Sequence, residues 1–436
     1  MATGDTVAPL QPSPGSISSA RFRALRHRNF QLFVGGQLVS LIGTWIQNAA
    51  QLWLVYRLTG SAALLGVFGF ASQIPMLLLS SVGGYVGDRY SRHRGVIATQ
   101  AASMILAFLL AALTLSHRIQ GRRGAWVVIV IGFLQGIVNA FDVPIRQSFF
   151  VNMVGKADLP NAIALNSSVF NGARVVGPAI AGFAIKLIGE GWCFFVNGLS
   201  FLAVIFALVL MRIEPQQGIA ETHSAWRRFL QGFRFAMGDR VVRSVLILLS
   251  MLSFFGLQYS VFMPIFAKDI LHREELGYGL LMSASAIGAV LGSLQFAART
   301  KYKGMLTWVG TMFLIASVGL IVFSQSRWFA LSAVVLLAFG FSATSQMAAT
   351  NTTVQNRVPD ELRSRVMAVY ATMFMGVQPI GSLVAGPLAK RFGAPMTLAA
   401  FGSICLVGSL IYFWRGVPWA RSAKPVEAKL SSPTTR

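Results

Sequence analysis

The segment GGYVGDRYSRHRG, residues 83–95, carries the pattern that decides how this sequence folds. Four basic side chains, counting His93, and the single carboxylate of Asp88 stand here between two long apolar runs. A stretch this short cannot form a domain of its own, and ionised groups are costly inside hydrocarbon. The pattern therefore predicts a short polar loop between two membrane-spanning helices.

The composition of the whole chain gives the same class of protein. Hydrophobic residues make up 55% of the 436 residues, charged residues only 12%, and the mean hydropathy is +0.63. The net charge of +23 does not indicate nucleic acid binding, because the basic residues lie in short loops between apolar segments. The two cysteines, Cys193 and Cys405, both fall in apolar runs, so we expect no disulfide, no metal site and no cofactor.

Apolar segments of about 20 residues, the length that crosses hydrocarbon, recur along the chain. Six precede and six follow one long polar interruption, which predicts an all-α membrane protein of twelve transmembrane helices in two six-helix, pseudo-symmetric bundles. The similarity of the segments that follow Ala157 and Asp360 supports a duplicated unit. The predicted parts are an N-terminal tail and basic arm at 1–29, bundles at 30–212 and 241–415, a linker at 213–240 and a tail at 416–436.

The linker and the distribution of basic residues predict how the chain lies in the membrane. In the linker, apolar side chains recur at helical spacing beside arginines, which predicts an amphipathic helix at the membrane surface; they are Trp226, Phe229, Phe233 and Met237. Most of the 37 Lys and Arg residues fall on one side of the predicted bilayer. Since cytoplasmic loops carry the excess of basic residues, we expect both termini, the linker and residues 83–95 to be cytoplasmic.

Three predicted helices carry polar side chains on one face, at steps of three and four residues. The first has Gln37, Ser40, Thr44, Gln47 and Gln51, the fourth has Gln135, Asn139, Asp142 and Arg146, and the fifth has Ser167, Asn171 and Arg174. Such stripes predict a shared polar cavity, although amides and hydroxyls also join helices to one another without lining any cavity. The candidate cavity residues are Gln47, Gln51, Gln135, Asn139, Asn171, Gln346 and Gln378.

Charged residues within these stripes predict an ion pair in the first bundle. Asp142 and Arg174 each lie 16 residues from Asp158, on opposite arms of a hairpin, so similar depth makes them candidate partners. Arg146, one helical turn from Asp142, competes for the same carboxylate. In the second bundle the corresponding positions are the neutral Gln346 and Gln378, which confines ionic coupling to the first bundle.

The opening segment resembles the signature loop of the major facilitator superfamily. Five of its residues form the pattern G-x-x-x-D-R-x-x-R-x-R, namely Gly84, Asp88, Arg89, Arg92 and Arg94. Ser91 and His93 depart from the usual family pattern. The resemblance implies that Asp88 gates transport by capping the eleventh helix, and that a relay through Arg92 leads to Asp142, in competition with an Asp142–Arg174 pair.

A second stretch, GARVVGPAIAG, resembles the fifth-helix motif of the antiporters in this superfamily. Its glycines and its proline, which are Gly172, Gly177, Pro178 and Gly182, also suit close packing of helices on physical grounds alone. Along nearly the whole chain the sequence is similar to bacterial carriers of the enterobactin-exporter and macrolide-efflux type. These resemblances imply a monomeric exporter of small amphipathic molecules in the bacterial cytoplasmic membrane.

The implied mechanism is alternating access with proton antiport, and Asp142 is the candidate proton carrier. Arg174, if it lacks an acidic partner, would suit an anionic or phenolate-bearing substrate such as a siderophore. An importer on the same fold and a membrane sensor without transport activity remain alternatives. ATP-driven transport is disfavoured because no phosphate-binding loop is present, and a metal-dependent membrane enzyme is disfavoured because the acidic residues are isolated.

Overall fold

The computed structural model describes residues 23–212, 225–299 and 304–415, and every regular element in these ranges is helical. The helices are α1 Arg28–Thr59, α2 Ala62–Arg89, α3 Arg92–Leu115, α4 Gly121–Val209, α5 Ala225–Gly238, α6 Arg240–Phe254, α7 Tyr259–Ile265, α8 Glu274–Ala297, α9 Met305–Gln325, α10 Phe329–Arg357, α11 Asp360–Ala371, α12 Val377–Phe392 and α13 Ala394–Arg415. Short 3₁₀ turns occupy Arg23–Arg26 and Gly256–Gln258, and π-helical turns occupy Phe266–Ile270 and Thr372–Gly376.

Ten helical segments within these ranges are long and apolar enough to cross a membrane. Segments Arg240–Ile270 and Asp360–Phe392 each count once, although a short turn interrupts both. Large apolar side chains remain outside the packed interior, as Ile105 of α3 does at 62% exposure and Val334 of α10 at 66%. An all-helical chain with such outward-facing side chains is stable in lipid, because its backbone hydrogen bonds are satisfied within each helix.

Helix α4 is interrupted by two glycines and covers the positions of three predicted crossings. Gly155 has φ 72° and ψ 175°, and Gly189 has φ 80° and ψ 167°, conformations that glycine adopts without a side-chain clash. Near the first interruption, Asp158 bonds to His27, and after the second, Glu190 bonds to Arg57 at the other end of α1. The chain therefore reverses direction at both glycines.

Close helix crossings at glycines hold each part of the chain together. We call residues 23–212 the first half and residues 225–415 the second half. In the first half, Gly83 of α2 lies against the carbonyl of Ala140 in α4, and in the second half, Gly288 of α8 lies against the carbonyl of Leu337 in α10. Without side chains at these points the backbones approach closely, which is how helices associate in a membrane.

Helix α5 lies where the linker was predicted, and it packs against α11 of the second half. Arg365 of α11 donates a hydrogen bond to Gln231 at 2.7 Å, and Gly232 lies against the carbonyl of Arg365. Some predicted parts lie outside the described part of the structure. They are the tails up to residue 22 and from residue 416, linker residues 213–224 and the side chain of Trp226.

Candidate functional site

Asp142 is buried in α4, and polar groups surround its carboxylate. It is 4% exposed and accepts hydrogen bonds from Thr99 at 2.7 Å and Gln100 at 2.9 Å, both on α3. Arg146, one turn further along α4, pairs with it at 3.0 Å. An ionised carboxylate at this depth needs such partners, and all of them come from the first half.

Arg174 is not brought to Asp142. Its side chain is partly buried, and no ion pair joins it to an acidic residue within the described ranges. The competing partner Arg146 holds the carboxylate instead. Equal distance from Asp158 predicts a similar depth for the two residues, but it does not fix the rotation of each helix about its axis. The expected Asp142–Arg174 pair is therefore absent from this conformation.

In the signature loop, Asp88 and Arg92 contact each other but do not reach their expected partners. The side chain of Asp88 is 50% exposed and lies 3.6 Å from Arg92. Arg92 also donates to the carbonyl of Ser148 and to Asn152, both at 3.4 Å, and makes no bond to Asp142. Pro359, the residue before α11, makes no capping hydrogen bond, and among the described residues no bond joins Asp88 to α11. The implied cap and relay are therefore not formed in this conformation.

The remaining residues of the loop motif face outward. Gly84 has open space where a Cβ would stand, Arg89 donates to Tyr85 at 3.0 Å within its own helix, and Arg94 is exposed. The first half thus makes no contact with the second half at Gly84. We call the end of the molecule that carries this loop the Asp88 end.

Several candidate cavity amides are buried with one polar atom lacking a partner. Among the described residues, three such atoms make no hydrogen bond: Nε2 of Gln51, Oε1 of Gln135 and Oε1 of Gln346. Gln47 is also buried, and its side-chain oxygen accepts a bond from Asn197 at 2.8 Å. Buried amides usually have partners, so the three unpaired atoms mark positions where water or a polar ligand group would be stabilised.

The other candidate amides are bonded within the protein or exposed. Asn139 is exposed and accepts a bond from Gln135 at 3.1 Å, whereas Asn171 donates to the carbonyl of Ser167 in its own helix at 2.8 Å. The backbone carbonyl of Gln378 accepts a bond from Gln258 at 3.1 Å. The structure does not join these residues into one network with Gln346.

The glycine and proline motif of α4 lies at two helix crossings. A Cβ on Gly177 would clash with Trp45 of α1, and one on Gly182 would lie 2.7 Å from the carbonyl oxygen of Glu275 in α8. A Cβ on Gly279 would lie 2.5 Å from the carbonyl oxygen of Pro178. Gly172, by contrast, faces open space. The latter part of the motif is therefore a close contact between the two halves.

The halves are joined at the end of the molecule where α1 finishes, which we call the Tyr56 end. The Tyr56 hydroxyl donates to the carboxylate of Asp269, and the rings of Trp53 and Tyr278 stack with centroids 5.7 Å apart. A second glycine crossing lies between α2 and α12, where a Cβ on Gly66 would lie 2.7 Å from the Cα of Gly386.

An ion pair within the first half lies beside these contacts. Arg57 and Glu190 bond through two nitrogens and two oxygens, at 2.6 and 3.2 Å, and the Glu190 side chain is only 9% exposed. The paired geometry fixes the end of α1 against α4. The pair is not predicted from the sequence, because hydropathy places Glu190 in a loop between two apolar runs. The sequence does contain a signal for the pair, because Arg57 and Glu190 both adjoin ends of apolar runs that are predicted to lie on the same side of the membrane.

No group of three metal-ligating side chains comes together among residues 23–212, 225–299 and 304–415.

Comparison with known proteins agrees with this architecture. A family model of the major facilitator superfamily, described as a transmembrane secretion effector, matches residues 19–434. The staphyloferrin A transporter of Staphylococcus aureus is 25% identical over 391 residues, which cover 88% of this chain and 95% of that protein. The multidrug efflux pump Tap of Mycolicibacterium fortuitum is 26% identical over 393 residues, which cover 88% and 94%. The enterobactin exporter of Shigella boydii is 21% identical over 387 residues, which cover 88% and 90%.

Solved structures share the fold at lower sequence identity. A bacterial homologue of the human lysosomal transporter Spinster, solved in an inward-facing and unoccupied conformation, superposes with a TM-score of 0.71 at 13% identity, covering 94% of this chain and 99% of that one. A D-xylose–proton symporter superposes with a TM-score of 0.67 at 12% identity, covering 88% and 97%.

Proposed function

Because the chain belongs to the transmembrane secretion effector family of the major facilitator superfamily, we propose that it exports a small amphipathic molecule by alternating access. It is an efflux-type transporter and not an enzyme. The substrate class follows from the relatives, whose names specify a siderophore or drugs. The proposed location is the bacterial cytoplasmic membrane.

The proposed topology has twelve crossings in two bundles of six, with both termini in the cytoplasm. Ten candidate segments and the two reversals within α4, at Gly155 and Gly189, support twelve crossings. The Asp88 end carries Arg89, Arg92 and Arg94, and an excess of basic residues is typical of the cytoplasmic face. We therefore assign the Asp88 end to the cytoplasm and the Tyr56 end to the outside.

One observation carries the mechanism: contacts between the halves join them at the Tyr56 end, whereas Gly84 is open and Asp88 is half exposed at the other end. With the assigned topology, this is a conformation closed to the outside and accessible from the cytoplasm, which is how an exporter would load its substrate. In the outward-facing state Asp88 would approach the beginning of α11, where the helix dipole favours a carboxylate.

The coupling ion in this proposal is the proton, and Asp142 is its carrier. Asp142 is a buried carboxylate within one of the candidate cavity stripes, and its hydrogen bonds and ion pair lie within the half that would move as a unit. Arg174, which has no acidic partner in the described ranges, would attract the negative charge of an anionic substrate. The working unit is a monomer, because both halves of the transport path come from one chain.

Transport in membrane vesicles of defined orientation tests this function. We expect inside-out vesicles to accumulate staphyloferrin A or ethidium when a proton gradient is imposed, without ATP. The matched pair of variants is Asp88→Asn, which should lose this accumulation, and Lys156→Gln, an exposed residue that should keep it. Accumulation only in right-side-out vesicles would identify an importer, and absence of flux for both probes would contradict transport of this substrate class.

A further inference from the structure

A cavity of about 1150 Å³ lies on the second half, between the beginning of α6 and the end of α13. Its lining includes none of the residues that join the two halves. Arginines form one rim, Arg240 and Arg243 on α6 and Arg415 on α13, with Arg357 of α10 beside them. The cavity is therefore separate from the proposed transport path and has a strongly basic opening.

The single acidic residue of this lining is already engaged. Asp239 accepts hydrogen bonds from the backbone N–H groups of Val241 and Val242, both at 2.9 Å, and pairs with Arg357 at 3.1 Å. Because Arg357 is the arginine paired with that carboxylate, Asp239 does not compensate the positive charges of Arg243 and Arg415 on the rim. An anion is the ligand that this rim would stabilise.

The walls of the cavity are apolar and lead away from the rim. On α6 they are formed by Ile247 and Met251, and on α13 by Val407 and Ile411. Ile247, Val407 and Ile411 are each about half exposed, at 47%, 55% and 49%. In a helix that crosses a membrane these side chains face hydrocarbon, so the cavity opens toward lipid.

The stretch of α6 that lines the cavity is about as long as one leaflet of a bilayer is thick. Arg240 and Met251 are 11 residues apart, which corresponds to about 16 Å along a helix, or roughly half of a hydrocarbon core. Trp414 is 74% exposed next to Arg415, whose guanidinium lies 5.1 Å from its ring. Exposed tryptophans and arginines of this kind mark the headgroup level of a membrane. The basic rim thus lies at headgroup level, and the apolar walls lie at acyl-chain level.

We propose that this cavity binds one anionic phospholipid, with its phosphate between Arg243 and Arg415 and an acyl chain between α6 and α13. Only a ligand with a negative head and a long apolar tail satisfies both ends of the cavity. The assignment does not depend on what the protein transports, because the site lies outside the contacts between the halves.

Native mass spectrometry of the purified full-length chain tests this site. The protein in neutral detergent is mixed with phosphatidylglycerol or with phosphatidylcholine of the same acyl chains. We expect wild type to retain one phosphatidylglycerol in preference to phosphatidylcholine, and the Arg243→Gln/Arg415→Gln variant to bind it about thirty-fold more weakly. The matched control, Arg227→Gln/Arg234→Gln, removes two exposed arginines of α5 at the same end, outside the cavity. It should keep the wild-type preference.

Equal loss in the control would show a general attraction to basic charge and overturn the proposal, as would unchanged retention in the cavity variant. A second measurement covers the case in which the cavity variant does not fold. The fluorescence of Trp414 is obtained by subtracting the spectrum of the Trp414→Phe variant from that of wild type. Phosphatidylglycerol with brominated acyl chains should quench this fluorescence more strongly than brominated phosphatidylcholine at equal low mole fraction. Equal quenching by the two lipids would also overturn the site.

Discussion

The phenol of Tyr56 donates a hydrogen bond to the carboxylate of Asp269, which lies 213 residues further along the chain. This bond connects the last turn of α1 with the π-helical turn that follows α7. It stabilises the conformation in which the Tyr56 end is closed, and it is absent from any state in which the halves separate there. Removing the bond therefore changes the balance between the two conformations.

Tyr56→Phe should shift the equilibrium toward opening at the Tyr56 end by about five-fold, the effect of losing about 1 kcal/mol. Spin labels on cysteines replacing Arg118 and Arg327, both exposed, would report the change as a longer distance distribution. Tyr85→Phe is the matched control, because Tyr85 bonds to Arg89 within one helix and joins no halves. Identical distributions in wild type and Tyr56→Phe would remove the bond from the closing mechanism.

Gly66→Ala should weaken the contact between α2 and α12. The added methyl would lie 2.5 Å from the carbonyl oxygen of Ser382 and 2.7 Å from the Cα of Gly386, so backbone must move. We expect slower transport and a closed state destabilised by about 1–3 kcal/mol. Gly35→Ala supplies the control, since a Cβ at Gly35 meets nothing within 4 Å. Flux and thermal stability, measured at equal protein abundance, should separate the two variants; equal behaviour would contradict the contact.

Asp88→Asn should insert normally and lose most transport, because the neutral amide cannot use the dipole at the beginning of α11 in the outward-facing state. The measurement is vesicle flux at equal abundance. Glu274→Gln, an exposed carboxylate replaced by an amide at the Tyr56 end, should keep wild-type flux. Undiminished flux in Asp88→Asn would defeat the gating role of this loop.

Asp142→Asn should abolish the dependence of transport on the pH gradient, since the neutral side chain cannot bind and release a proton. It also leaves Arg146 without its partner, which should destabilise the fold by about 1–3 kcal/mol. The double variant Asp142→Asn/Arg146→Gln should recover part of that stability but not the coupling. Accumulation that a proton gradient still drives in Asp142→Asn would place the coupling carboxylate elsewhere.

The helical class of this chain could be predicted from its sequence, because a crossing requires a length of apolar residues that composition reveals directly. The pair of Asp142 and Arg146 was also accessible, as a local contact one turn apart. That Asp142 and Arg174 do not pair in this conformation could not be predicted, because sequence spacing does not give the rotation of each helix about its axis.

Contacts between distant segments were the hardest to predict. Nothing in the sequence near Gly66 identifies Gly386 as its neighbour, since that contact depends on how the halves are placed against each other. Glu190 was missed for a different reason. It lies directly after the interruption at Gly189, where hydropathy alone places a loop, and its burial becomes evident only with Arg57 beside it.

The neutral pairing of Asp142 with Arg146 has an electrical consequence. While both groups are charged, the pair adds no net charge, so displacing it through the membrane field requires no electrical work. If Asp142 carries the proton as proposed, protonation leaves the charge of Arg146 uncompensated, and each elementary charge that crosses the full field is worth about 2.3 kcal/mol per 100 mV. The membrane potential would then act at this position on the protonated state and not on the ion pair.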